Sequence, residues 1–511
     1  MRRRALPIPT LALLAACHPG APVVASAPPR LGSLFSDHMV LQRGVRAPVW
    51  GTAAPGERIA VSVGAQRVET TAGADGRWQA WLGPMEAGGP FELTAAGAAR
   101  TTLHDVMVGE VWIASGQSNM QFPLHMSTGG EEAIAAANRP LLRLFKVPRD
   151  VADHPRTRHG GRWKTASPET ARDFSAVAYH FGREIGERLG VPVGIIQSAW
   201  SGSPAEAWMS PAALRSDPAF ASIEAMWAKK MAEHRAEIEA YEPQWLAYRS
   251  MADRAIEAGE DYPNPPDGPE GPHHNYYPSN LYNGMLAPLA PYAVRGFIWY
   301  QGEGNRDRAA QYRKLFPALI RDFRQLWGGQ ALPFLFVQLP SYGETPPEPA
   351  ESDNAELREA QRMALAVPGT AMAVALDLGD PKDVHPRNKK DVAHRLALLA
   401  RARVYGEDIE SSGPMYESMS VEGSVIRLRF SHLGGGLVAQ GGGPLVGFAI
   451  SGPDGRFAWA EARIDGDSVV VSRPGLGEPR AVRYAWGNSP RANLFNAAGL
   501  PASPFRTDAP P

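Results

Sequence analysis

Residues 105–120 read DVMVGEVWIASGQSNM, an apolar run that ends in a short polar segment. The nearly continuous apolar character from Val106 to Ala114 is typical of a strand buried on both faces of a parallel sheet. Ser118 follows just past the carboxyl end of that strand, where α/β folds place their ligands, although most serines there serve only as turn or cap residues. Position 120 is Met, so the segment is not a Gly-x-Ser-x-Gly nucleophile elbow.

Four more apolar runs follow along the chain, and amphipathic helical patterns separate them. The runs are Val193–Ala199, Val294–Tyr300, Phe334–Leu339 and Ala371–Leu376. The helical patterns span Ser175–Leu189, Arg308–Trp327, Glu356–Leu365 and Lys389–Tyr405. This alternation predicts an α/β fold, a three-layer α/β/α domain around a central parallel sheet of five strands. A charged helical insertion, which Pro243 should break, occupies about 217–275.

The flanking segments have the alternating pattern of exposed β-strands. Ile59, Val61 and Val63 alternate before a predicted hairpin turn at Asp75-Gly76. The same alternation returns after 411. The sequence therefore predicts a signal and tether at 1–30, an N-terminal β unit at 31–104, an α/β domain at 105–410 and a C-terminal β unit at 411–511.

Charge and cysteine content exclude several classes of protein. The chain has 511 residues with 52 Lys and Arg against 53 Asp and Glu, so no basic surface for nucleic acid is expected. The chain has one cysteine, Cys17, so neither an intramolecular disulfide nor a cysteine-rich metal site is predicted. No His/Asp/Glu cluster has zinc-ligand spacing, and no metal or organic cofactor is expected.

A serine nucleophile needs a base, and His385 is the strongest candidate among 13 histidines. It lies in a loop after the fifth predicted strand, and Pro386 favours an extended backbone there. In extended backbone, positions i and i+2 point to the same side, so the carboxylate of Asp383 would orient the imidazole. The alternative is an Asp–His pair that only caps the next helix.

The loops after the second and third strands carry groups that would stabilise an oxyanion. The backbone N–H groups of Ser118 and Gly202 would supply two donors, and the Gln301 side-chain amide a third. Each glycine taken alone is consistent with an ordinary turn, but three strand ends that carry such groups together with a serine and a histidine favour a functional site. Trp200, Glu303 and Asn305 stand in the same loops and are candidate substrate-binding residues. Trp208 and Trp299 are further candidates for lining a sugar site, although a core position is favoured for Trp299.

Several sequence blocks together resemble the sialate O-acetylesterase family, a branch of the SGNH hydrolases, and the resemblance runs from about residue 31 to 508. The blocks are LFSDHMVLQR at 34–43, GQSNM at 116–120, WYQGE at 299–303, DVHP at 383–386, NLFN at 493–496 and LPASPFRTD at 500–508. Two departures stand out. In the third block, Gln301 replaces the usual Asn, so Asn305 becomes a second candidate for the third oxyanion donor. In the last block, Asp383 and His385 are two positions apart rather than the usual three, so Asp380 becomes a second candidate to orient the histidine.

The resemblance implies an SGNH-type hydrolase domain and a serine esterase that removes O-acetyl groups from sialic acids. Ser118 would be the nucleophile, His385 the base and Asp383 its orienting carboxylate. One alternative is an esterase for acetylated xylan or another glycan. A more distant alternative is a carbohydrate-binding protein with an inactive hydrolase core.

The N-terminus resembles a bacterial lipoprotein signal peptide. Three arginines precede a short apolar stretch, and LAAC at 14–17 places Cys17 where a lipobox needs it. The alternative is an ordinary signal peptide cleaved after residue 27. Export to the periplasm or cell envelope is expected in both cases, with contact to the membrane only through an N-terminal lipid anchor.

Overall fold

The computed structural model describes residues 27–508, so Cys17 and the predicted signal and tether up to residue 26 lie outside them. The alternating side chains of Ile59, Val61 and Val63 are buried, as their pattern predicts. The N-terminal strands are β1 (Arg30–Leu31), β2 (Val40–Gln42), β3 (Ala47–Thr52), β4 (Arg58–Val63), β5 (Gln66–Thr71), β6 (Arg77–Leu82), β7 (Gly88–Ala96) and β8 (Arg100–Gly116).

Strand β8 joins the N-terminal strands to the central sheet. Its first part pairs with β7 and β2, and its second part lies in the middle of the central sheet. The boundary predicted after residue 104 therefore falls inside one continuous strand. The Asp75-Gly76 turn forms, but it links β5 to β6, which pair with β4 and β3 respectively, so the predicted hairpin is wrong.

The central sheet contains β8 and six further strands. These are β9 (Arg139–Lys146), β10 (Trp163–Ala166), β11 (Val193–Ala199), β12 (Gly296–Tyr300), β13 (Phe334–Gln338) and β14 (Thr370–Val374). Their order is β10-β9-β11-β8-β12-β13-β14, and only β10 runs antiparallel to its neighbour. All five predicted strands are present, and β9 is a sixth parallel strand that was not predicted. The sequence of β9, RPLLRLFK, lacks the continuous apolar run by which the other five were recognised.

Helices cover both faces of this sheet. They are α1 (Ser118–Gln121), α2 (Gly130–Ala135), α3 (Pro168–Arg172), α4 (Ala176–Leu189), α5 (Pro211–Leu214), α6 (Ala221–Glu233), α7 (Arg235–Ala258), α8 (Ala309–Leu326), α9 (Asp353–Met363) and α10 (Lys389–Arg403). Helices α4 and α10 pack together on one face, and α8 and α9 pack together on the other. Phe181 of α4 meets Trp112 at 5.2 Å and Phe323 of α8 meets Trp299 at 5.6 Å, so the two faces form separate layers of the core.

The helical insertion differs from its prediction at Pro243. That proline lies inside α7 rather than ending a helix, and the chain instead breaks at His234 between α6 and α7. A proline in a helix interior removes one hydrogen bond. The burial of Trp245 and Tyr248 in the hydrophobic core offsets that loss.

The C-terminal segment is built from short antiparallel strands. They are β15 (Met415–Glu422), β16 (Val425–Ser431), β17 (Leu437–Ala439), β18 (Phe448–Ser451), β19 (Phe457–Trp459), β20 (Glu461–Asp465), β21 (Ser468–Ser472), β22 (Ala481–Tyr484), β23 (Leu494–Asn496) and β24 (Phe505–Arg506). The buried Arg358 of α9 fixes this segment to the α/β layers by donating to the carbonyl of Gly487 at 2.7 Å. Within residues 27–508, no helix has both the length and the apolar character needed to cross a membrane.

Candidate active site

Three parallel strands end side by side at one edge of the sheet. Gly116 of β8 pairs with Ala199 of β11 on one side and with Tyr300 of β12 on the other. Gly116 has φ +137°, and a Cβ there would lie 2.2 Å from the carbonyl oxygen of Tyr300, so only glycine fits this position. The loops that follow the three strands therefore meet at the carboxyl edge, where α/β sheets bind ligands.

Ser118 stands at the start of α1, directly after β8, and is half-buried. Its hydroxyl has no hydrogen-bond partner within residues 27–508. The side chain lines an open cleft of about 480 Å³, and His385 lines the same cleft. The structure thus brings the predicted nucleophile and the predicted base, 267 positions apart in sequence, to one site without a direct hydrogen bond between them.

The carboxylate of Asp383 is the acidic group beside His385. Its Oδ1 lies 4.0 Å from His385 Nδ1, which is longer than a hydrogen bond. That same oxygen accepts the backbone N–H of His385 at 2.8 Å. The carboxylate of Asp380 instead accepts the backbone N–H of Lys382 at 2.9 Å, and within the described chain it makes no contact with the histidine ring. Asp383 is therefore better placed than Asp380 to orient the base.

Burial and a neighbouring cation set the pKa of His385. Desolvation is the largest cause and lowers the pKa below its ordinary value of 6.5, and the charge of Lys389 lowers it further. Asp383 raises the pKa, but by less than these two effects together lower it. The sequence-based expectation that the acidic partner dominates is thus wrong in sign, because the ring packs against protein, including Phe122 at 6.3 Å.

A buried polar cluster behind the cleft connects the segments that carry Ser118 and His385. Lys389 donates to the side-chain oxygen of Asn119 at 2.5 Å. The amide nitrogen of Asn119 donates to Glu303 at 2.6 Å and to the carbonyl of Val384 at 3.0 Å. Asn119 adjoins the nucleophile and Val384 adjoins the histidine, so this cluster holds the two segments in a fixed relation.

The charges of this cluster are strongly perturbed by burial. Desolvation lowers the pKa of Lys389 to about 7, against an opposing effect of Glu303 and Asp383. Desolvation also raises the pKa of Glu303, and one of its carboxylate oxygens has no hydrogen-bond partner in the described chain. The motif around Ser118 was visible in the sequence, but no sequence signal identified Lys389, which reads as an ordinary helix-surface lysine.

Two backbone N–H groups remain available for an oxyanion. Within residues 27–508, neither the Ser118 N–H nor the Gly202 N–H donates a hydrogen bond. Gly202 has φ +75°, and a Cβ there would clash with Tyr276, so the loop excludes a side chain at this point. Gln121 accepts the N–H of Ser201 at 2.9 Å, which fixes the Gly202 loop to helix α1.

The third predicted oxyanion donor is not available. The buried Gln301 amide donates to Asn305 at 2.7 Å, and its oxygen accepts the Tyr312 hydroxyl at 3.0 Å. Asn305 in turn donates to Glu206 at 2.8 Å. Both amides are consumed in the core, so the predictions of Gln301 as an oxyanion donor and of Asn305 as its replacement or as a substrate contact are wrong.

Of the remaining candidate substrate-binding residues, some are buried in the core and one lies next to a residue of the cleft. Trp208 and Trp299 are fully buried and pack edge-to-face at 6.3 Å, so they do not line a sugar site. Glu303 belongs to the buried cluster behind the nucleophile. Trp200 is half-buried, and Arg149, which lines the cleft, lies over its ring at 5.3 Å.

The described chain contains no cluster of three or more His, Cys, Asp or Glu side chains arranged to hold a metal ion. A serine, a histidine beside a carboxylate and unpaired backbone N–H groups at the carboxyl edge of an α/β sheet define the class of serine-type ester hydrolases.

Comparison with known proteins gives the family within this class. Residues 272–400 match the family model for carbohydrate esterase, sialic acid-specific acetylesterase. The chain is 30% identical to rat sialate O-acetylesterase over 93% of its own length and 94% of the relative, and 28% identical to the human protein over 93% and 92%. This chain belongs to the sialate O-acetylesterase family.

A solved structure has the same fold over nearly the whole chain. A carbohydrate acetylesterase from Xanthomonas citri is 40% identical, with a TM-score of 0.81, over 94% of this chain and all of that one. The similarity extends across the N-terminal strands, the α/β layers and the C-terminal strands. The whole chain, rather than the α/β layers alone, is therefore the unit shared with this enzyme.

Proposed function

We propose that this protein removes O-acetyl groups from sialic acids, with Ser118 as nucleophile and His385 as general base. The observation that carries the proposal is the shared cleft, in which an unpaired serine hydroxyl and a histidine ring face the same space. Membership of the sialate O-acetylesterase family supports the choice of substrate.

The chemistry follows from the groups in the cleft. The Ser118 oxygen attacks the acetyl carbonyl while His385 accepts the hydroxyl proton, and the Ser118 and Gly202 N–H groups stabilise the oxyanion. Collapse of the intermediate breaks the ester bond, and the protonated His385 donates its proton to the departing sugar oxygen. A water molecule, deprotonated by the same histidine, then attacks the acetyl-enzyme and releases acetate.

Acetate release from a substrate panel tests this function. O-acetylated sialic acids should be hydrolysed with a higher kcat/KM than acetylated xylo-oligosaccharides. Activity on the xylo-oligosaccharides alone would replace the proposal with a neutral-glycan acetylesterase, in line with the broader description of the Xanthomonas citri enzyme. Absence of acetate release from every ester, including a simple aryl acetate, would favour a carbohydrate-binding protein.

The pH profile should report the depressed pKa of His385. A general base must be neutral, so kcat/KM should fall as the pH drops through this pKa, with an acid limb below about 6.5. Asp383→Asn removes a carboxylate that raises the pKa, and should lower both the rate and the midpoint of the acid limb. The measurement is kcat/KM for an aryl acetate between about pH 4 and 8.

Asp380→Asn is the matched control for this measurement. It removes a carboxylate three positions before Asp383 that does not contact the imidazole ring of His385. It should leave the acid limb in place. If Asp380→Asn strongly lowered kcat/KM and Asp383→Asn left both kcat/KM and the acid limb unchanged, Asp380 would be the residue that orients the histidine.

The proposal for the location of the enzyme rests on the sequence of residues 1–30. We expect lipid on Cys17, since several acyl chains on one residue hold a protein firmly at a membrane. Cys17→Ser should move the protein from the membrane fraction to the soluble fraction after cell lysis. A wild-type protein found only in the soluble fraction, with its mature N-terminus near residue 28, would leave export without anchoring.

A further inference from the structure

Two cations line the same cleft as Ser118, at the end of a strand that the sequence did not reveal. Lys146 is the last residue of β9, and Arg149 follows in the loop after it. Because β9 is parallel to β11, its carboxyl end lies at the same edge of the sheet as the catalytic loops. Both side chains line the cleft that contains Ser118 and His385.

Neither cation has a carboxylate partner. Within residues 27–508, no Asp or Glu oxygen lies within 4.0 Å of either charged group. Lys146 donates to the backbone carbonyl of Asp173 at 2.9 Å, while the Asp173 carboxylate lies 3.1 Å from His125. The Arg149 guanidinium lies over the face of Trp200, at 5.3 Å, and the charge of Asp267 acts on it from beyond 4.0 Å. A half-buried guanidinium without a carboxylate in contact is costly, and a bound anion would offset that cost.

The other charges around the cleft leave a local positive excess. The adjoining recess adds two cations, Arg162 and Lys164, and two carboxylates, Glu169 and Asp261. These additions balance one another. In the cleft itself, Lys146 and Arg149 face one carboxylate, Asp173, whose charge acts on Lys146, so the excess is one positive charge.

The geometry of Arg149 suits a planar anion. Stacking on Trp200 uses the flat face of the guanidinium and leaves its in-plane N–H groups free. Those groups form a fork that matches the two oxygens of a carboxylate. A cleft of about 480 Å³ is of the size that holds one small ligand.

We infer that Arg149, with Lys146 beside it, binds the carboxylate of an acidic sugar and so holds its acetyl ester against Ser118. The inference rests on the proposed function and deepens it, because a sialic acid carries a carboxylate whereas an acetylated xylan chain presents neutral sugars. Arg149 and Lys146 are then the residues that select an acidic over a neutral acetylated sugar.

The experiment compares one O-acetylated sialic acid with its carboxamide, which has the same shape without the charge. The wild-type enzyme should prefer the acid in kcat/KM by roughly 10- to 100-fold, the usual effect of a charge-assisted hydrogen bond. Arg149→Gln should reduce this preference to near one, mainly through KM, and Arg149→Lys should recover part of it. Arg172→Gln is the matched control, because it removes a nearby positive charge that already pairs with Glu131 at 3.2 Å.

Two results would overturn the inference. The first is an Arg149→Gln variant that keeps the full preference for the acid. The second is a wild-type enzyme that hydrolyses acid and carboxamide equally, a measurement that needs no folded variant. In both cases acetate is still released from the sialic acid, so the proposed function survives. A wild-type enzyme that acts only on neutral acetylated sugars would instead overturn the proposed function and the carboxylate site together.

Discussion

Ser118→Ala should lower kcat for acetate release by roughly 10⁴- to 10⁶-fold, the scale seen when the nucleophile of a serine hydrolase is deleted. The substitution removes one oxygen that has no hydrogen-bond partner among the described residues, so the fold loses no contact. The free energy of unfolding should therefore stay within about 0.5 kcal/mol of the wild type. Acetate release and denaturant unfolding on the same preparation measure the two effects separately.

Ser201→Ala provides the control for this variant. Ser201 is exposed in the loop after β11, and its connection to the nucleophile helix runs through its backbone N–H, which alanine keeps. Its activity should remain within about twofold of the wild type. If Ser118→Ala kept more than a few per cent of activity, Ser118 would not be the nucleophile.

His385→Gln should lower kcat by about 10³-fold or more, since neither the attack of Ser118 nor the departure of the sugar oxygen would have a proton acceptor or donor. The variant should also lose the acid limb of the pH profile, because that limb reports the titration of this ring. Initial rates of aryl acetate hydrolysis across the pH range provide both readouts.

His394→Gln tests whether the effect is specific to position 385. His394 lies on α10 and hydrogen-bonds Glu184 at 3.0 Å, outside the cleft. Its loss should leave the rate and the acid limb close to those of the wild type. An acid limb that survives in His385→Gln would mean that another group serves as the base.

The sequence determined the layered fold through local patterns. A strand buried on both faces requires a continuous apolar run, and all five such runs are strands of the central sheet. Strand β9 lies nearer the sheet edge with charged residues in its sequence, so local pattern could not identify it. Because β9 was not predicted, Lys146 and Arg149 were not identified as cleft residues. Their position in the cleft of Ser118 depends on the parallel pairing of β9 with β11.

The sequence also located the serine and the histidine that line the cleft, because each follows a strand and stands in a distinctive block. It could not decide which polar side chains face the cleft, since that depends on which hydrogen bonds the core has already taken. Gln301 and Asn305 carry suitable amides, yet each bonds to a buried neighbour. The pKa of His385 was likewise set by tertiary contacts, because desolvation and the charge of Lys389 act through space and outweigh the carboxylate two residues away in the chain.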